Sequence, residues 1–272
     1  MELVIKPRRS TPFDLRGVWE YRALFYFFAW RDFKVRYKQT FLGLAWTIFQ
    51  PLVSVVVFTL IFGRILHVRS PNGVPYAIFA YTGLVFWNYF ATAVTRSAES
   101  IGANQGIISK IYFPRVIVPI ASTAAALVDF VVSLCLLAAI AAYYSFTPGV
   151  VGVLLIIPLL TLAFLTAAGV GMLVAALGAR YRDARQALPF FVQTMFFFTP
   201  VVYPVSLIPA RLQWVIYLNP LAGIISVARS TLLHQGAVHF GQLAISGSVS
   251  IGVAVFGYLY FHRKASVFVD VL

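Results

Sequence analysis

The 272-residue chain is 61% hydrophobic and only 11% charged, with a mean hydropathy of +0.87, whereas an ordinary soluble domain keeps roughly a quarter of its residues charged. This excludes a sizeable aqueous domain and makes residues 1–272 a single membrane domain. A net charge of +13 would suggest nucleic acid in a soluble protein. In a chain this apolar it reads as a topology signal and as attraction to membrane lipids and anionic substrates, with no nucleic acid involved.

The first forty residues are polar, basic and aromatic, without the early apolar core of a signal peptide. Thr11-Pro12-Phe13-Asp14 has the form of a helix start: a capping residue, a proline at the first helical position and an acid in the first turn. Large apolar residues from Trp19 to Phe33 then alternate with charges, and the uncharged centre Ala23–Trp30 is too short to cross a bilayer. The segment predicts an amphipathic helix lying along the headgroups.

Six long runs follow: Phe41–Gly63, Ser70–Thr95, Val116–Tyr144 (carrying only Asp129), Thr147–Ala179, Gln186–Ala210 and Ser230–His262. A bilayer core of roughly 30 Å needs about 20 apolar helical residues, so each run can span. The expected fold is an all-α integral membrane protein: a 1–40 amphipathic region, a six-span bundle over 41–262 and a tail over 263–272. Pro71-Asn72-Gly73 predicts a turn, Ser97–Tyr112 a short loop helix, and Thr147-Pro148-Gly149 a bare turn. Between Leu188 and Arg229, Pro200, Pro204, Pro209 and Pro220 recur too often for a straight helix. A fifth span ending near Thr199, followed by a re-entrant pair on the exterior side over Val201–Ile208 and Leu212–Leu218, fits the pattern. A proline-kinked helix with an apolar loop is the alternative. Seventeen of the 21 Lys and Arg residues fall on one side of this arrangement, leaving Arg64, Arg69, Arg211 and Arg229 on the other. This bias puts both termini in the cytoplasm.

The chemistry is sparse. No phosphate-binding Gly-x-x-x-x-Gly-Lys-Ser/Thr loop occurs, and Gly169-Val-Gly171 lies inside a span, where small residues serve helix packing. The four histidines have no metal-ligand spacing, so no metal is expected. The lone Cys135 is a packing residue within a span. The exterior loops hold no Asp or Glu, which argues against catalysis by paired carboxylates. Asp129, the one intramembrane acid, is either a proton relay or substrate contact, or a packing residue that orients its helix. Trp87, Tyr203, Trp214 and Tyr217, at or near the predicted exterior ends, are either interface-belt residues or platforms for passing sugar rings. Arg31, Lys34, Arg36 and Lys38 serve topology and headgroup attraction, or contact the pyrophosphate of a lipid-linked substrate.

The run Arg31–Trp46, with Gln50-Pro51 after it, resembles the start of polysaccharide export permeases of the type-2 ABC transporter class. So do Lys110–Arg115, Arg180–Asp183, Phe198–Tyr203 and Leu218–Pro220, in the same order and across almost the whole chain. The resemblance implies a six-span subunit that forms a homodimer and docks two copies of a separate ATPase, which would bind ATP and magnesium; this chain would carry no cofactor. Its cargo would be O-antigen, capsule or teichoic-acid chains on undecaprenyl diphosphate, and its location the bacterial inner membrane. The coupling helix would map onto about Ser97–Tyr112, with Glu99, Ser100, Asn104 and Lys110 as contact residues, and the gate helix onto about Leu15–Gln39. Rival readings are an exporter of a drug, haem or small lipid, and an integral-membrane glycosyltransferase acting on polyprenyl-linked sugars.

Overall fold

The computed structural model describes residues 19–37, 45–68, 70–111, 113–235 and 240–264. Regular structure among these residues is helical throughout. The helices are α1 (Arg22–Tyr37), α2 (Ala45–Phe58, continued as a π-helix over Thr59–Ile65), α3 (Tyr76–Ala103), α4 (Gln105–Ile108), α5 (Ile117–Ala125) and α6 (Leu127–Tyr143). They continue with α7 (Val150–Arg180), α8 (Arg182–Phe198), α9 (Ala210–Ile216), α10 (Pro220–Leu232) and α11 (Phe240–Lys264). The predicted helix start at Thr11–Asp14 lies outside the described residues.

Five segments are long and apolar enough to cross a bilayer: Ala45–Ile65, Tyr76–Ala103, Ile117–Tyr143, Val150–Arg180 and Gly241–Lys264. Where the fifth of six runs was expected stands α8, whose 17 residues reach about 25 Å at 1.5 Å per residue. It stops where Thr199-Pro200 breaks the backbone ladder. The structure thus gives five spans by length and composition, with α8 short of that standard.

The bundle is built around α3. In its most apolar 18-residue stretch 83% of the residues are buried, against 17% for α2. Tyr81, Leu84, Val85, Tyr89 and Val94 are all enclosed, and α7, α5, α6 and α10 pack around them. Small residues let the long helices approach closely. Gly169 of α7 abuts the backbone of Val253 and Ala254 on α11, while Gly171, on a different side of the same helix, abuts Ser97 of α3. Thr166 Oγ1 donates to Ser250 Oγ across the first of these contacts at 3.0 Å. Pro71-Asn72-Gly73 forms the predicted turn: Asn72 and Gly73 adopt φ of 58° and 71°, and Asn72 Nδ2 donates to the His234 carbonyl at 2.8 Å.

The re-entrant region differs from expectation in its boundaries. Val201–Ile208 is no helix beyond a single 3-10 turn at Val205–Leu207, and α9 covers Ala210–Ile216. The inserted element is α10, which begins where Asn219 Oδ1 accepts from Leu221 N at 3.1 Å, with Pro220 at the first helical position. Its residues from Leu221 to Leu232 are mostly buried. The uncharged run Ser230–His262 is therefore two elements, because α10 ends at Leu232 and the last span begins at Phe240. His234 between them has a φ of 54°, a turn conformation that charge counting does not reveal.

Arg229, expected in an exterior loop, sits inside α10 and is only 4% exposed. Its guanidinium donates to the carbonyls of Pro200 (2.7 Å), Tyr203 (3.4 Å), Val201 and Phe79 (3.1 Å), and lies 3.7 Å from the Phe79 ring centroid. Tyr76 donates its hydroxyl to the remaining carbonyl of the irregular stretch, Val202 O, at 2.5 Å. Asn219 Nδ2 holds Thr199 Oγ1 at 2.8 Å. Gly83 leaves room for this knot: a Cβ there would stand 2.6 Å from Arg229 Nη2 and 2.7 Å from the Val201 carbonyl oxygen. We predict that Gly83→Ala lowers the melting temperature of the detergent-solubilised protein. Gly252→Ala, where a Cβ meets nothing within 4 Å, should leave it level or raise it, since alanine favours a helix interior by up to about 1 kcal/mol. Static light scattering on a thermal ramp separates the two.

Candidate functional site

Polar side chains inside the spans recur four residues apart on three neighbouring helices, which places each pair on one helical face. They are Gln50 and Ser54 on α2, Asn88 and Thr92 on α3, and Asp129 and Ser133 on α6. With Thr47 they border a partly open cavity of about 170 Å³. Asp129 is 8% exposed, and its Oδ2 pairs with Arg96 Nη2 at 3.3 Å. Sequence alone places Arg96 in a loop and leaves Asp129 without a basic neighbour. In the structure α3 continues to Ala103, which sets Arg96 one turn beyond Thr92. A carboxylate in a membrane span is costly unless paired or wet; here it is paired, and it borders a polar space. The signal that could have found this site is the four-residue spacing itself.

The continuation of α3 also revises the loop helix. Ser97–Ala103 belongs to α3, and only α4, Gln105–Ile108, follows; Tyr112 lies outside the described residues. Glu99 and Lys110 are exposed. Ser100 and Asn104 are buried and serve the helix end, with Asn104 Nδ2 donating to Ser100 O at 2.7 Å and Ser100 Oγ to Ser97 O at 2.7 Å. Of the four expected ATPase contacts, the structure leaves two on the surface.

At the same end, α1 packs on α5. Phe28 is its buried anchor, against Phe113 at a centroid distance of 5.7 Å. Ser122 Oγ donates to Asp32 Oδ2 at 2.7 Å, and Asp32 Oδ1 holds Arg31 Nη2 at 2.7 Å. Trp19, Tyr26, Phe27 and Trp30 are exposed, the placement of aromatic residues that lie among headgroups. Lys34 is exposed as well, whereas Arg31 is half-buried and committed to Asp32. Arg36 lies on α1, and Lys38 lies outside the described residues. The four basic residues are thus a mixed set, with Arg31 partly structural.

The aromatic candidates divide too. Trp87 is 5% exposed in the middle of α3, packed on Phe90 and Phe196 at 5.7 and 5.4 Å, so it belongs to the core. Tyr217 is buried, and its carbonyl accepts from Ser246 Oγ at 3.0 Å. Tyr203 is half-buried and donates to Phe197 O at 3.0 Å. Trp214 is 61% exposed on α9, and is the one of the four with a free ring surface. A second recess of about 700 Å³ lies between α7, α8 and α11, lined entirely by apolar residues and glycine, Leu177, Phe191 and Phe256 among them. Among the described residues no cluster of three or more His, Cys, Asp or Glu could hold a metal.

The chain is thus a helical multi-pass bundle with a small polar cavity among its spans. Comparison with known proteins agrees. The chain belongs to the ABC-2 type transporter membrane family, matching over residues 23–233. It is 30% identical to the O-antigen export system permease protein RfbA of Klebsiella pneumoniae over 89% of this chain and 92% of that protein. It is 29% identical to the protein of the same name from Myxococcus xanthus, over 78% and 81% of the two chains. Identity to the polysialic acid transport protein KpsM of Escherichia coli is 22%, over 75% and 78%.

The Arg96–Asp129 pair yields a stability prediction. Asp129→Leu and Arg96→Leu should each destabilise the protein by stranding a charge, and the double variant should lose less than the two losses added together. Contacting residues couple by about 0.5–3 kcal/mol. Chemical denaturation in mixed micelles measures the cycle, and additive losses would mean that the pair contributes nothing.

Proposed function

We propose that the chain is the membrane-spanning subunit of an exporter that moves lipid-linked polysaccharide, of O-antigen type, out of the cytoplasm. The observation that carries this reading is the similarity to O-antigen export permeases over 78–89% of this chain at 28–30% identity, against 22% to the polysialic acid transporter. The sequence contains no nucleotide-binding loop, so the energy comes from a separate ATPase partner that binds ATP and magnesium, as membership of the family supports. Two copies of this chain and two of the ATPase form the working unit in the bacterial inner membrane, with the short α8 as a sixth crossing and both termini therefore cytoplasmic, as the distribution of basic residues favours. The cargo's undecaprenyl diphosphate meets Lys34 and its basic neighbours on the cytoplasmic side, and the chain is no enzyme.

ATP-driven closure of the partner acts on the exposed end of α3 and the following loop, where Glu99 and Lys110 stand at the surface. Such coupling works only through a difference in the partner's affinity for the closed and open states. The exposed ring of Trp214 on α9 offers a sugar platform at the exit.

Cells lacking the protein should accumulate undecaprenyl-linked polymer inside and lose it from the surface; normal surface polymer would remove the assignment. The purified chain alone should hydrolyse no ATP. In the reconstituted complex, Glu99→Lys or Lys110→Glu should abolish the substrate-coupled part of ATP hydrolysis, and unchanged coupling in both would relocate the ATPase contact.

A further inference from the structure

The cavity between α2, α3 and α6 is more polar than span packing requires, and its chemistry narrows what it can hold. A metal cation would want several oxygen ligands and net negative charge. The one carboxylate, Asp129, is already paired with Arg96. An anion would face that same carboxylate. An acyl chain would leave the side-chain amides of Gln50 and Asn88 and the hydroxyl of Thr92 desolvated without partners, a cost of a few kcal/mol for each group. What remains is a neutral ligand rich in hydroxyl groups, because side-chain amides and hydroxyls both donate and accept hydrogen bonds. Tyr89 also borders the cavity, and its buried hydroxyl has no hydrogen-bond partner among the described residues. The volume of about 170 Å³ is more than ten times the roughly 10–15 Å³ that a single water needs. It has room for a ring.

We propose that this cavity is a binding subsite for one sugar ring of the passing polymer, holding it by its hydroxyl groups against Asn88, Gln50 and the Asp129 carboxylate. The proposal rests on the reading of the chain as a polysaccharide exporter and adds a position on the path. The cavity is walled on one side by α2, whose apolar stretch is the least buried of the five spans. Arg96 orients the Asp129 side chain and acts as a positioning residue.

The test is thiol labelling of the full complex with its ATPase in proteoliposomes, in a Cys135→Ser background. Thr92→Cys and Ser133→Cys, both lining the cavity, are treated with a membrane-impermeant methanethiosulfonate reagent, with and without lipid-linked polysaccharide; Ser54→Cys stands in should either variant fail to assemble. Ile157→Cys, exposed on the apolar surface of α7, is the lipid-facing control and should stay unlabelled. The expected result is that the cavity cysteines react and that polymer slows them about tenfold, the protection given by a ligand at about ten times its dissociation constant. Reaction that polymer does not slow, while the unsubstituted complex still exports, means a cavity holding water only, and overturns the subsite but not the exporter. No reaction at all means a dry seam, and it likewise overturns the subsite alone. Failure of the unsubstituted complex to move polymer removes the function and the subsite together.

Discussion

Four consecutive carbonyl groups, from Pro200 to Tyr203, face inward with no helix ladder to receive them. In a medium without water each must find a donor inside the protein. Arg229 supplies three and Tyr76 the fourth, and the same guanidinium reaches a fifth carbonyl at Phe79. No acid pairs with Arg229 among the described residues, so the backbone oxygens themselves solvate its charge. The positions of α8, α9 and α10 relative to α3 follow from this arrangement. It allows an interrupted chain to lie beside a long continuous helix, and it requires glycine at position 83.

The two ends of α3 therefore have different tasks. Its beginning anchors the re-entrant segment through Tyr76, Phe79 and Gly83. Its end carries a polar ladder of Asn88, Thr92 and Arg96 toward α2 and α6, then runs out to an exposed Glu99. A rigid, buried rod connecting a charged terminus to an intramembrane polar space suits a protein driven from outside. The nearby α2 is far less enclosed, so a displacement of the rod would first alter the seam between them.

Hydrophobic runs made most of this architecture legible. Long uncharged stretches mark most of the spans, and Pro71-Asn72-Gly73 marks the turn between two of them. Arg229 was hidden because a charge in an uncharged region is most simply assigned to a loop, and nothing local shows that distant carbonyls await it. The start of α10 was legible at Asn219-Pro220, yet the absence of charge from Ser230 to His262 joined two helices into one. Arg96 ended a run by the charge criterion, although the helix passes through it without a break. Trp87 and Tyr217 show why aromatic type alone does not locate an interface: the same ring serves equally well in a core. Glu99 and Asn104 are five residues apart on one turn-and-a-half, and only the fold distinguishes the outward one from the inward one.

The knot around Arg229 joins parts of the polypeptide 150 residues apart at Phe79. During synthesis Phe79 and Gly83 enter the bilayer long before the ribosome has made their partner. Until then the first spans have no strap to hold, and the proline-rich stretch that follows α8 has no donor for its oxygens. The fastener that holds the earlier helices therefore closes only once residue 229 has been made, and a nascent chain truncated before it lacks that fastener.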